Sequence, residues 1–228
     1  MSTIVIVGAG EGLGLAIARA FGVNGFNVAL ISRTQSKLDS LADRLHDEGI
    51  NARGFAADIM DRTKLTTAIG AAKDHFGGID VLEFSPAPHN APVAGLEMVD
   101  AASVTVENIA PQIEYYLYAA IAATQAVLPD MIARGSGTLL FTTGAGSVSP
   151  IPMMGNINAA AAALRNWAVN LHTPLRDHGV HVAHIAIGVY IGSGPEENSA
   201  DVIARTYWDT YQSRDGAERI YTSSITEP

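Results

Sequence analysis

Gly8, Gly10, Gly12 and Gly14 alternate through the start of the chain, with Glu11 and Leu13 between them. A turn without Cβ atoms lets a pyrophosphate approach the backbone. A helix beginning there adds free N–H groups and a positive dipole end. Acid–base chemistry has two isolated candidates, Glu83 in an otherwise apolar run and His89 after a proline pair. For each the alternative is an ordinary one: a structural hydrogen-bonding carboxyl, and a solvated loop histidine. His172, His178, His181 and His184 are close in sequence but fall on a helix, a turn and a strand without a carboxylate at ligand spacing, so no metal site is expected. The opposite strand parity of His181 and His184 predicts one partly buried and one surface histidine. The chain has no cysteine, which excludes thiol nucleophiles, thiolate metal sites and disulfides.

These groups need a scaffold, and hydrophobic periodicity supplies one. Thr3 to Val7 reads as a strand covered on both faces, and Leu15 to Phe21 as the helix after the glycine turn. Strands follow at Phe26 to Ile31, Ala52 to Ala57, Ile79 to Phe84, Thr138 to Thr143 and Val180 to Ile187. Helices alternate with them at Gln35 to Asp47, Arg62 to Phe76, Val104 to Met131 and Asn156 to Leu175, with Pro111 expected in an early turn or at a kink. Such alternation implies a Rossmann-type, doubly wound α/β fold. A parallel sheet is covered by helices on both faces, and ligands bind beyond the carboxyl ends of the strands. With 228 residues, 48% of them hydrophobic, one domain over 1–228 is expected. Within it, 192–228 supplies a substrate-side loop, a terminal helix with Trp208 and Tyr211 turned inward, and an edge strand at Arg219 to Thr222.

A net charge of −9 without a basic run argues against nucleic acid and anionic membrane as partners. Apolar stretches are read as interrupted by Gly, Asn or charge short of the ~20 residues of a membrane helix, and the N-terminus lacks leader features, so a cytoplasmic protein is expected.

Val7-Gly8-Ala9-Gly10-Glu11-Gly12-Leu13-Gly14 resembles the first turn of the short-chain dehydrogenase/reductase family, Thr-Gly-x-x-x-Gly-x-Gly, without the leading Thr. Further landmarks come in the family's order: Ala57-Asp58-Ile59, Phe76-Gly77-Gly78-Ile79-Asp80-Val81-Leu82, Ala126-Val127-Leu128-Pro129, Gly137-Thr138-Leu139-Leu140 and Ile185-Ala186-Ile187-Gly188. The resemblance implies a nicotinamide dinucleotide held by the glycine turn, by Asp58 and Ile59 at the adenine, and by Ser85 after the fourth strand. It also implies a small-molecule substrate and a homodimer or homotetramer, to which the small-residue run Ala159 to Ala163 would contribute. At the end of the second strand stands Ser32-Arg33, where an acidic residue would repel a 2′-phosphate; serine removes the repulsion and Arg33 can pair with the phosphate, favouring NADP(H) over NAD(H). Glu11, where NADP(H) users often carry a basic residue, points the other way.

The resemblance fails at the catalytic end. The family's Tyr-x-x-x-Lys falls in Gly155-Asn156-Ile157-Asn158-Ala159-Ala160-Ala161-Ala162-Ala163, placing Asn156 or Ile157 at the Tyr and Ala160 or Ala161 at the Lys. Thr143, of the pair Thr142-Thr143, stands at the substrate-holding Ser. Tyr116 is near the helix Asn and is the leading candidate for a relocated proton donor, with Tyr115 and Tyr118 in reserve; core packing is the alternative for each. Thr143, Tyr116 and Asn156 are therefore the candidate catalytic residues. Two functions fit: an oxidoreductase with a non-standard proton donor, acting on a small carbonyl or alcohol, or a catalytically silent or non-redox dinucleotide binder. Ile151, Met153, Met154 and Ile191 suggest an apolar pocket wall.

Overall fold

A computed structural model describes residues 1–87 and 95–222. Its seven strands form one parallel sheet in the order β3-β2-β1-β4-β5-β6-β7. They are β1 (Thr3–Val7), β2 (Asn27–Ser32), β3 (Ala52–Ala56), β4 (Val81–Phe84), β5 (Gly137–Gly144), β6 (Val180–Ile187) and β7 (Glu218–Tyr221). From β1 the chain winds outward through β2 to β3, returns to β4 beside β1, and winds outward the other way. The reversal between β1 and β4 opens a crevice at their carboxyl ends, where a doubly wound sheet binds ligands.

The inner strands β1, β2, β4, β5 and β6 are largely apolar because both faces are covered. One face carries α1 (Leu13–Gly22), α2 (Gln35–Asp47) and α7 (Ala200–Ser213), and buries Leu15, Ile17, Phe21, Leu38, Leu45 and Tyr207. The other carries α3 (Arg62–Phe76), α4 (Val106–Ile113), α5 (Ala119–Arg134) and α6 (Gly155–Arg176). Helix ends follow local chemistry. The Asp61 carboxylate accepts from Lys64 N–H at 3.0 Å to start α3, and Gly77 at φ 84° ends it. Trp208 and Tyr211 turn inward as expected, packing with Phe21 and Phe26 at ring-centroid distances of 5.3 to 6.1 Å.

Three expectations need correction. The helix read as Val104 to Met131 is two α-helices joined by a π-turn over Glu114–Tyr118. Pro111 has no N–H to continue the ladder, and the wider turn follows it. The run Val106–Arg134 is also long and apolar enough to cross a membrane by composition, contrary to the sequence reading. In the fold its apolar residues, such as Ala119, Ala123, Val127 and Met131, are buried in the core. The third correction concerns His181 and His184, which are both buried. Because β7 and helices on both faces enclose β6, neither parity leads to solvent.

Candidate functional site

The crevice is lined first by the glycine turn. Gly8 holds φ 102°, and a Cβ there would sit 2.6 Å from the Pro86 backbone after β4. Only glycine lets the two strand ends meet so closely. A Cβ on Gly14 would lie 3.0 Å from Ala9 Cα, so this glycine lets α1 pack onto the turn. Gly10 and Gly12 face open space, with nothing within 4 Å of an added Cβ. Glu11, Gly12 and Leu13 donate no backbone hydrogen bond among the described residues. Free N–H groups at a helix start beside open space fit a pyrophosphate.

Other candidates collect along the same edge. Arg33 is exposed just past β2 and makes no ion pair among the described residues; Ser32 ends the strand, half-buried. Asp58 follows β3 and accepts from Met60 N–H at 3.0 Å. The Ile59 side chain is in the core, so only its backbone can reach a ligand. Ser85 is half-buried after β4, its N–H bonded to the Val7 carbonyl at 2.9 Å. His89 lies outside the described residues. Ile151, Met153 and Ile191 are exposed beyond the strand ends, with Tyr190 beside them.

The structure separates the three candidate catalytic residues. Asn156 is fully buried and consumed by structural bonds: its amide donates to the Glu97 and Asn108 carbonyls at 2.9 and 3.3 Å and accepts from Val99 N–H at 3.0 Å. It pins the segment before α4 onto the first turn of α6, which sets it aside as a catalytic group. Tyr116 is buried in the core, and burial pushes its phenol up to about 12 with no cation to offset it. A proton donor needs the opposite environment. Tyr115 packs edge-on against it at 5.2 Å, so core packing describes both, whereas Tyr118 is exposed on the surface near Arg62.

Thr143 is placed differently, in a hydrogen-bonded chain that crosses three strands. Its Oγ1 lies 2.8 Å from Ser147 Oγ and 2.8 Å from His184 Nε2. His184 Nδ1 is 3.0 Å from Glu218 Oε1, and Arg165 on α6 grips the Glu218 carboxylate with two bonds of 2.6 and 2.7 Å. Parallel register puts His184 directly opposite Glu218. Burial lowers the His184 pKa, although Glu218 acts to raise it, while Arg165 holds the Glu218 carboxyl below its ordinary value. The result is a neutral imidazole between a hydroxyl and a carboxylate. Nδ1–H donates to Glu218, so Nε2 accepts from Thr143. Sequence reasoning singled out Thr143 but not its partners Ser147, His184, Glu218 and Arg165; a histidine inside an apolar strand was the available signal.

On the other face, Glu83 is fully buried beneath the crevice with hydroxyls as its hydrogen-bond partners: Ser85 at 2.8 Å and Thr142 at 3.1 Å, the latter 2.7 Å from Tyr207. Desolvation raises its pKa to about 8. Among the described residues no group of three or more His, Asp or Glu is arranged to hold a metal.

Sheet order, crevice and glycine turn together define a doubly wound nucleotide-binding fold. The short chain dehydrogenase family profile matches residues 2–198, and the chain belongs to that family. It is 32% identical over 193 residues to 2-(S)-hydroxypropyl-CoM dehydrogenase 3 of Xanthobacter autotrophicus, covering 84% of this chain and 72% of that one. It is 28% identical over 179 residues to dehydrogenase/reductase SDR family member 4 of Sus scrofa, covering 78% of this chain and 62% of that one. Against very-long-chain 3-oxoacyl-CoA reductase of Phaeosphaeria nodorum it spans about half the relative's length, 52%, and 78% of its own. In structure it resembles a short-chain dehydrogenase from Rhodopseudomonas palustris, with a TM-score of 0.83 at 23% identity over 97% of this chain and 98% of that one.

Proposed function

We propose that this chain is an NADP(H)-dependent oxidoreductase acting on a small alcohol or carbonyl compound, with Ser147, Thr143, His184 and Glu218 handling the proton in place of the family's Tyr and Lys. The observation that carries this reading is the unbroken hydrogen-bonded chain from Ser147 to Glu218. Asn156 or Ile157 at the Tyr position and Ala160 or Ala161 at the Lys position offer nothing acidic or basic where the family's pair would stand.

A nicotinamide dinucleotide, when bound, accepts or supplies the hydride. The protein's own task is the proton. In the oxidative direction the alcohol O–H gives its proton to Ser147 Oγ as the Ser147 proton passes to Thr143 and the Thr143 proton to His184 Nε2. The imidazolium formed is stabilised by Glu218, which Arg165 keeps ionised. Carbonyl reduction runs the same transfers backwards and needs His184 protonated. Because the buried imidazole is neutral near pH 7, this arrangement favours alcohol oxidation there.

Arg33, exposed and free to pair at the end of β2, supports NADP(H), as do structural neighbours solved with NADPH or 5-hydroxy-NADP. Titration with NADPH and NADH, followed by NADP+ reduction on a panel of small secondary alcohols, tests the reading. Tighter NADPH binding with turnover is expected. The loss of the Tyr and Lys favours a second reading, a dinucleotide binder without catalysis, for which binding without turnover on any alcohol or carbonyl is the expected result.

A further inference from the structure

Glu83 occupies the middle of the sheet, opposite Ile6 of β1 and Leu140 of β5, on the face that packs α1 and α7. Nothing in the proton chain through His184 involves it. The groups facing it are the hydroxyls of Ser85 from β4, Thr142 from β5 and, behind Thr142, Tyr207 from α7. Among the described residues no cation contacts it, and the charged group that α1 carries, Arg19, is paired with Glu48 at the surface. A buried carboxylate without a cation is costly, whereas a carboxylic acid satisfies this geometry. Thr142 donates to Glu83 Oε1 and accepts from Tyr207, which leaves Oε2 to carry the proton toward Ser85 Oγ, 2.8 Å away.

Ser85 sits at the mouth of the crevice. Its backbone carbon would lie 2.8 Å from a Cβ on Gly8, so Ser85 leaves β4 directly beside the glycine turn, with its hydroxyl on Glu83. A hydroxyl that accepts from Glu83 is free to point its own hydrogen into the crevice. If Glu83 ionises, the direction reverses: Ser85 must donate inward, the crevice loses a donor, and a negative charge appears beneath an anionic ligand.

We propose that Glu83 is a binding element of the dinucleotide crevice: held as the neutral acid, it donates to Ser85 and so turns the Ser85 hydroxyl outward as a donor to the anionic ligand. This rests on reading the crevice as a dinucleotide site. Dinucleotide affinity is therefore coupled to one buried proton, with a carboxyl range displaced upward to about 8.

The test uses the full chain and NADPH as the probe, with Kd measured by nicotinamide fluorescence between pH 7 and 9.5 for wild type, Glu83→Gln and Ser85→Ala. Wild-type Kd should rise tenfold or more across this range. Glu83→Gln keeps a donor toward Ser85 at every pH and should stay nearly flat. Ser85→Ala should bind several-fold more weakly at pH 7 and lose most of the pH response. An infrared carboxylic-acid band present at pH 7, lost by pH 9.5 and absent from Glu83→Gln, reports the proton directly and serves if either variant fails to fold. Parallel wild-type and Glu83→Gln curves with tight binding, or no such band at pH 7, would overturn the inference alone. Absence of NADPH binding at every pH would overturn it together with the reading of the crevice.

Discussion

Thr143 Oγ1 lies 2.8 Å from the Nε2 of His184, whose Nδ1 faces Glu218 across the last pair of strands. A hydroxyl, an imidazole and a carboxylate are thereby joined across β5, β6 and β7 toward the edge of the sheet.

Removing the Thr143 hydroxyl cuts this chain at its centre. Thr143→Val, close to isosteric, should lower kcat for alcohol oxidation about 10²- to 10⁴-fold with a much smaller change in KM. In the wild type, oxidation should rise with pH through the His184 pKa, below the ordinary histidine value, and plateau above it. Glu218→Gln removes the group that raises that pKa, so the rise should move to still lower pH while the plateau falls. Steady-state pH profiles and an NMR titration of the imidazole check both statements.

Arg33 makes no ion pair among the described residues at the end of β2, and its test is cofactor preference. Arg33→Ala should weaken NADPH binding roughly tenfold to a hundredfold and leave NADH nearly unchanged, since only the former presents a 2′-phosphate. Equal losses for both dinucleotides would assign Arg33 to general attraction instead.

The glycine turn separates folding from binding within three residues. Gly8→Ala forces a side chain at φ 102° into the Pro86 backbone and should lower stability by about 2 kcal/mol or more. Gly10→Ala meets nothing and should melt like the wild type, yet lose dinucleotide affinity because the methyl occupies the ligand's space. Thermal melts with and without NADPH distinguish the two.

Glu83 also shapes stability. Its folded pKa of about 8 lies above the ordinary value of 4.5, so between these limits the folded state holds a proton that the unfolded chain releases. Its contribution is complete below pH 4.5 and declines as pH rises to about 8. Glu83→Gln should consequently gain stability over wild type as pH rises through that window, on the order of 1–4 kcal/mol at the alkaline end. Urea unfolding at pH 5, 7 and 8.5 measures the difference.

Much of the scaffold could be read from periodicity alone. Gln35–Asp47, Arg62–Phe76 and Val180–Ile187 run as their hydrophobic spacing predicts, because each has a clear buried stripe or run and a polar or glycine boundary. The π-turn at Glu114–Tyr118 was hidden: its residues suit an α-helix equally well, and the difference lies in which carbonyl each N–H reaches. The glycine turn was legible because its residues are contiguous. The Thr143–His184–Glu218 chain was not, since 41 and 34 residues separate its bonded pairs and only the register of adjacent strands joins them. Tyr116 and Asn156 misled for a related reason. A sequence position near a site does not state which way the side chain turns, and here packing and loop anchoring claimed both.

The placement of Glu218 on the edge strand β7 also sets an order of assembly. As the polypeptide leaves the ribosome, the glycine turn, Arg33, Asp58 and Ser85 are all in hand long before Glu218 has been added. The nucleotide half of the sheet can thus condense first, and a ligand docking there would favour it by mass action. Docking of the late strand then brings Glu218 to His184, so an edge-frayed molecule would keep the glycine turn and the ends of β2, β3 and β4 while its imidazole lacks the carboxylate partner.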